Sequence, residues 1–93
     1  MDGACIYTRK QYNIYKVSDG FIIHNTHKPF NEFHTHVNNY NLCKIIIYAA
    51  LKGDLPNKSQ RLLKNKKVLE SIIRITEEDS YVTKYKELIE KIN

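Results

Sequence analysis

The hydrophobic period of the chain changes once, at Asn38-Asn39, and this single switch limits the folds open to it. Before it, short β-prone runs are separated by turn residues; after it, apolar residues recur every three or four positions. A chain of 93 residues and 11.0 kDa has room for one core. The β unit and the helices must therefore share that core, which is an α+β arrangement. The expectation is a single domain over residues 1–93: an N-terminal antiparallel β-hairpin or three-stranded sheet followed by three to four helices.

In the β part, Tyr12-Asn13-Ile14-Tyr15-Lys16-Val17 and Phe21-Ile22-Ile23-His24 flank Ser18-Asp19-Gly20. Asp-Gly between two such runs signals a hairpin, because a type I′ turn needs positive φ at both central residues. An Asp19-Gly20 loop sets Ser18 opposite Phe21, Val17 opposite Ile22 and Tyr15 opposite His24. A third strand is expected over Phe33-His34-Thr35-His36-Val37, after a loop around Lys28-Pro29. A natural register faces His24 with His36 and His34 with Thr26. Cys5 to Thr8 carries a weaker strand signal.

In the helical part, Asn38-Asn39 is an N-cap pair, and Leu42, Ile45, Ile46, Ala49 and Ala50 form one stripe. Gly53 supplies a C-terminal stop, with Pro56 beyond it. Asn57 and Gln60 have capping-box spacing. Leu62, Leu63, Val68, Leu69, Ile72 and Ile73 continue the pattern, with a slip at Lys64 to Lys67 that divides the stretch into two short helices. Thr76 and Asp79 are spaced to cap a last helix over about 77–91, whose stripe is Tyr81, Val82, Tyr85, Leu88, Ile89 and Ile92. Lys52 to Asn57 is too long, and contains Pro56, for the usual helix-turn-helix turn.

Composition removes several classes of protein. At 42% apolar and 27% charged, with 3 Gly and 2 Pro, the chain is neither disordered nor collagen-like. Two Cys are too few for a disulfide scaffold. The longest apolar run, Ile45 to Leu51, falls far short of the roughly 20 residues that span a bilayer. Met1 to Ile6 has no basic, then apolar, leader pattern. A soluble protein of the host-cell cytoplasm with reduced thiols and no membrane partner is expected. Cys43 lies among apolar helix residues and reads as a small hydrophobe, and Cys5 is similar. Lys, Ile, Asn and Tyr, all with AT-rich codons, make up 40 residues.

All four histidines fall between His24 and His36. Period-2 alternation puts His24, His34 and His36 on one sheet face beside Tyr15, and Tyr12, Ile14, Phe21, Ile23, Phe33 and Val37 on the other. The cluster admits three roles. Paired imidazoles can act as general base and acid in phosphodiester cleavage, with Lys16 or Lys28 holding the phosphate. His-x-His on a strand can hold two metal ligands, with His24 a third, although only Asp19 and Glu32 add carboxylates nearby. The plainest role is a filled sheet surface or interface, and no cofactor or metal is expected. His24-Asn25-Thr26 matches half of a two-histidine phosphoesterase signature, and the second half is missing.

Charge is concentrated in residues 52–74, which hold 7 basic and 2 acidic residues, a surplus equal to the net +5 of the whole chain. Lys58, Arg61, Lys64, Lys66, Lys67 and Arg74 form this segment, the first three sharing one side by their spacing. Such a cluster suits a phosphate backbone or an acidic protein face. No nucleic-acid-binding motif accompanies it.

Phe33-His34-Thr35-His36-Val37-Asn38-Asn39, the Pro56 turn and Leu69-Glu70-Ser71-Ile72-Ile73-Arg74-Ile75 together resemble small uncharacterised proteins of low-GC Firmicutes and their phages, over roughly residues 14–90. The resemblance implies an accessory protein of a phage or mobile element, of the kind that includes anti-CRISPR inhibitors. The expected function is non-enzymatic: inhibition or regulation of a host nucleic-acid-handling complex through a surface of Lys58, Arg61, Lys64, Lys66, Lys67, Arg74, Tyr15, His34 and His36. The expected partner is a host protein or ribonucleoprotein, or nucleic acid. A basic chain is unsuited to DNA mimicry. The alternatives are a small phosphodiesterase or nuclease using His24, His34 and His36, and a direct nucleic-acid-binding regulator.

Overall fold

The structure, a computed structural model, describes residues 3–92; Met1 and Asp2 of the N-terminal segment, and Asn93, lie outside the described residues. Strands β1 (Ala4–Arg9), β2 (Tyr12–Val17), β3 (Gly20–Asn25) and β4 (His34–Val37) precede helix α1 (Tyr40–Lys52), a 3-10 helix (Asn57–Lys64), α2 (Lys66–Ile75) and α3 (Asp79–Ile92). The fold is α+β. The strands form one antiparallel sheet in the order β1-β2-β3-β4.

The sheet has four strands where the sequence pointed to two or three. The weak signal at Cys5 to Thr8 is a real strand, closed onto β2 by Lys10-Gln11, with Lys10 at φ 55. The β2–β3 loop is Ser18-Asp19, not Asp19-Gly20. Lys16 pairs with Phe21, Tyr15 with Ile22 and Asn13 with His24. Gly20 is needed for a different reason. It opens β3 at φ 145, and a Cβ there would lie 2.9 Å from the Val37 carbonyl oxygen. The β3–β4 register also differs from expectation: His24 faces His34 and Ile22 faces His36. The intervening loop folds tightly, with Asn25 N–H donating to Phe33 O and Glu32 N–H to Pro29 O. Both differences are slips of two residues, which keep every side chain on its expected face.

One face of the sheet carries Tyr12, Ile14, Ile23 and Val37 into a core completed by Ile46, Ile47, Leu69, Ile72 and Tyr85. Burying each fully enclosed aliphatic side chain stabilises the fold by about 2 kcal/mol. Phe33, expected in that core, lies before β4 and is half-buried. The helices stack on this face alone.

Asn39 caps α1 by accepting from Leu42 N–H at 2.9 Å, and Gly53 ends it at φ 77 with its N–H on Ala49 O. The expected Asn57–Gln60 capping box does not form. Pro56 precedes the 3-10 helix, and the Gln60 amide instead donates to Leu55 O at 2.6 Å. Thr76 closes α2 rather than opening α3, because its hydroxyl donates back to Ile72 O at 2.6 Å. Glu78 takes the opening position of α3 by accepting from Tyr81 and Val82 N–H. On α3, Tyr85 is buried and donates to Ala49 O at 2.8 Å, whereas Val82, Leu88 and Ile89 are half-buried and Ile92 is 37% exposed.

A polar clamp, buried at Tyr12 and Asn25 and open to the surface at Glu77, joins the sheet to the α2–α3 link. Tyr12 Oη donates to Ile75 O at 2.8 Å. Asn25 Nδ2 donates to Ile75 O at 3.1 Å and to Glu77 Oε1 at 2.9 Å. Gln11 and His27 also donate to Glu77, at 2.8 and 2.7 Å.

Candidate functional site

The sheet face away from the helices holds the histidines, as the alternation predicts. His24 and His34 lie opposite one another, with Phe30 of the 26–33 loop between their rings. Phe30 stacks on His34 at 4.4 Å and meets His24 edge-on at 5.3 Å, and His36 abuts His34 at 5.4 Å. His24 Nε2–H donates to Lys28 O at 2.9 Å, and His34 Nδ1–H donates to Phe30 O at 2.7 Å. Each of these rings therefore spends one nitrogen on holding the loop, which orients it and sets its neutral tautomer. A general acid–base pair needs two imidazoles presenting free nitrogens to a common point. Phe30 packs against both rings, leaving each with one nitrogen not committed to the loop. Tyr15 stands opposite Ile22, not His24, and accepts from Asn13 Nδ2 at 3.0 Å. His27 leaves the cluster altogether to meet Glu77. Among the described residues, no three His, Cys, Asp or Glu side chains come together as metal ligands.

Lys58, Arg61, Lys64, Lys66, Lys67 and Arg74 of the basic segment are all exposed. A 3-10 helix has three residues per turn, so Lys58, Arg61 and Lys64 stand on one side of it. Lys66 and Lys67 follow in the first turn of α2, which contains no acidic residue, and Arg74 lies in its last turn. Among the described residues none of these six cations has a carboxylate partner; the ion pairs are His27–Glu77 and Lys84–Asp54. Arg74 favours the C-terminal pole of its helix dipole. Lys66 and Lys67 sit at the positive pole, where the dipole opposes them.

Two of the expected surface residues meet in one cleft of about 400 Å³ between the sheet end, α1 and α2. His36 and Lys67 lie at its edge, with Ser71 and Asn38, over a floor of Leu42 and Val68. Tyr15, His34, Lys58, Arg61, Lys64, Lys66 and Arg74 lie outside it. A second, more apolar groove runs between the 3-10 helix and α3, over Leu63, Leu88 and Ile92.

Burial pushes the Cys43 thiol up to about 12, which suits a packed hydrophobe and not a nucleophile. Burial, and then the nearby Glu77 charge, raises the Tyr12 hydroxyl. The Asn25 amide, followed by Gln11 and His27, lowers Glu77 below the usual carboxylate range against a smaller opposing effect of burial. Sequence reasoning passed over two groups. The Tyr12–Asn25–Glu77 clamp has no periodic signature. A row of tyrosines and lysines on β1 and α1 had one available signal, the four-residue spacing of Tyr40, Lys44 and Tyr48. No family model, curated protein or solved structure matches the chain.

Proposed function

We propose that this chain is a non-enzymatic binding protein of a phage or mobile element, which docks its basic helical surface on a nucleic-acid-handling complex of the host and so inhibits or regulates it. The observation that supports this most is the set Lys58, Arg61, Lys64, Lys66, Lys67 and Arg74, all exposed and all without a carboxylate partner among the described residues. Two of them oppose a helix dipole, so local stability does not account for them. Unneutralised cations on a short helical segment raise the local potential and attract an anionic partner, either an acidic protein face or the phosphates of a ribonucleoprotein. An anti-CRISPR inhibitor is one concrete form. The His24–Phe30–His34 stack fits a structural role better than an acid–base one, since two ring nitrogens are committed to loop carbonyls.

Affinity capture from a low-GC bacterial lysate, with and without nuclease, tests the proposal. The expected result is capture of a nucleic-acid-handling assembly that is lost with the Arg61→Glu, Lys64→Glu double variant. Equal capture by a folded double variant would place the functional surface elsewhere.

A further inference from the structure

Beyond the basic segment, β1 and α1 hold rings and cations in alternation. Tyr7 meets Tyr40 edge-on at 6.3 Å, and Tyr40 meets Phe21 at 5.7 Å, so three rings from three elements form a row. Lys44 Nζ lies 5.5 Å from the Tyr7 centroid and 5.3 Å from that of Tyr40. Lys16 Nζ lies 4.9 Å from Phe21 at the other end of the row, and Arg9 stands 5.8 Å from the Tyr48 ring. The rings are half-buried, with part of each left at the surface, and both lysines are exposed.

The row also lacks the usual neutralising groups. β1, β2 and α1 contain no Asp or Glu, and no ion pair among the described residues reaches Arg9, Lys16 or Lys44. The nearest carboxylate in sequence, Asp19, lines the cleft with His36, and Phe21 at the end of the row borders that same cleft. These cations rest against rings instead, Lys16 also donating to Val17 O at 2.9 Å. A flexible ammonium parked on a ring can swing to a phosphate and leave the ring face to a base. The basic segment of the 3-10 helix and α2 offers charge and no ring.

We propose that this flank is a binding surface for single-stranded nucleic acid, in which Tyr7, Tyr40 and Phe21 receive bases and Arg9, Lys16 and Lys44 receive phosphates. Interleaved aromatic and basic side chains are how sequence-tolerant single-strand binders work: bases stack while cations follow the backbone. An acidic protein would use the cations and leave the rings idle. A duplex would offer phosphates and keep its bases inside. The surface adjoins the basic segment at the cleft that Phe21 and Lys67 both line, but it uses other cations, Arg9, Lys16 and Lys44, and does not depend on the function proposed for that segment.

Fluorescence anisotropy with a labelled oligothymidylate, and with a duplex of equal length, decides the matter. The single strand is expected to bind at least about tenfold more tightly than the duplex, and more weakly as salt rises. Lys16→Glu with Lys44→Glu changes two exposed side chains, so the fold should persist while single-strand affinity falls by about tenfold or more. Arg61→Glu with Lys64→Glu should leave that affinity unchanged. Tyr40→Phe should bind as the parent does, and Tyr40→Leu, shown by circular dichroism to be folded at the assay temperature, should not. Absence of binding, equal affinity for duplex, or sensitivity only to the Arg61 and Lys64 reversals would each overturn the proposal.

Discussion

The Asn25 side-chain amide donates to Glu77 at 2.9 Å across a sequence separation of 52 residues, and the same amide reaches the Ile75 carbonyl. Asn25 is fully buried. Its Oδ1 accepts from His27 N–H at 2.9 Å, so both its donor and its acceptor group are engaged. Asn25→Ala should therefore destabilise the protein by about 2–4 kcal/mol, because a fully buried side chain is truncated and its hydrogen bonds to Ile75, Glu77 and His27 are lost together. Tyr12→Phe should cost about 1 kcal/mol, since the Ile75 carbonyl keeps the Asn25 donor. Urea titration of the two variants checks both values and their order.

Glu77 gives the clamp a dependence on pH. Its carboxylate accepts from Asn25, Gln11 and His27, and these contacts hold its pKa below the ordinary value of 4.5. A lowered folded-state pKa contributes stability that is fully present above the unfolded value and lost as pH falls through the folded one. Stability attributable to Glu77 should thus be constant above about pH 5 and decline in stronger acid. Denaturation of Glu77→Gln beside the parent chain should show a gap at pH 6 that narrows towards pH 3.

Core substitutions should separate by depth. Ile72 is fully buried, and Ile72→Ala should cost about 2–5 kcal/mol through lost burial and a residual cavity. Leu88 shares the apolar stripe of α3 but is half-buried, so Leu88→Ala should cost only about 1 kcal/mol. Melting curves that rank the two the other way would contradict the packing.

The Gly53→Ala exchange tests how α1 and α3 meet. A Cβ at Gly53 would fall 2.5 Å from the Tyr81 ring, and the residue holds φ 77. Ring displacement and left-handed strain act together there, so a loss of more than about 1 kcal/mol is expected in thermal unfolding.

Arg61→Glu with Lys64→Glu should leave stability nearly unchanged, since isolated exposed charges contribute about 0–1 kcal/mol. Binding to an anionic partner should weaken at least about tenfold, or 1.4 kcal/mol. Circular dichroism and a binding titration on the same preparation separate the two effects.

The fold class was legible because period 2 and period 3.6 occupy different parts of the chain, and because Asn39 and Gly53 punctuate α1 as their chemistry suggests. The face shared by Tyr15, His24, His34 and His36 was legible for the same reason, since parity survives a two-residue slip. The registers themselves were not. Gly20 looked like half of a turn but answers to the close approach of Val37, a contact with a distant strand. The ring row of Tyr7, Tyr40 and Phe21 escaped notice because its members lie in three elements. The clamp escaped because polar contacts over 50 or more residues leave no local pattern. Exposure of Lys58, Arg61 and Lys64 did follow from their positions between apolar residues.

The strand order β1-β2-β3-β4 has a kinetic consequence. Every strand pairs with its neighbour in the chain, and the longest connection inside the sheet is the 26–33 loop. The sheet can assemble through short loop closures, each of which costs little chain entropy. The expensive closure is the one that brings residues 75–77 back to Tyr12 and Asn25. The contacts made there join the two ends of the folding chain, and their loss should slow the docking of the helices while leaving the nascent sheet untouched.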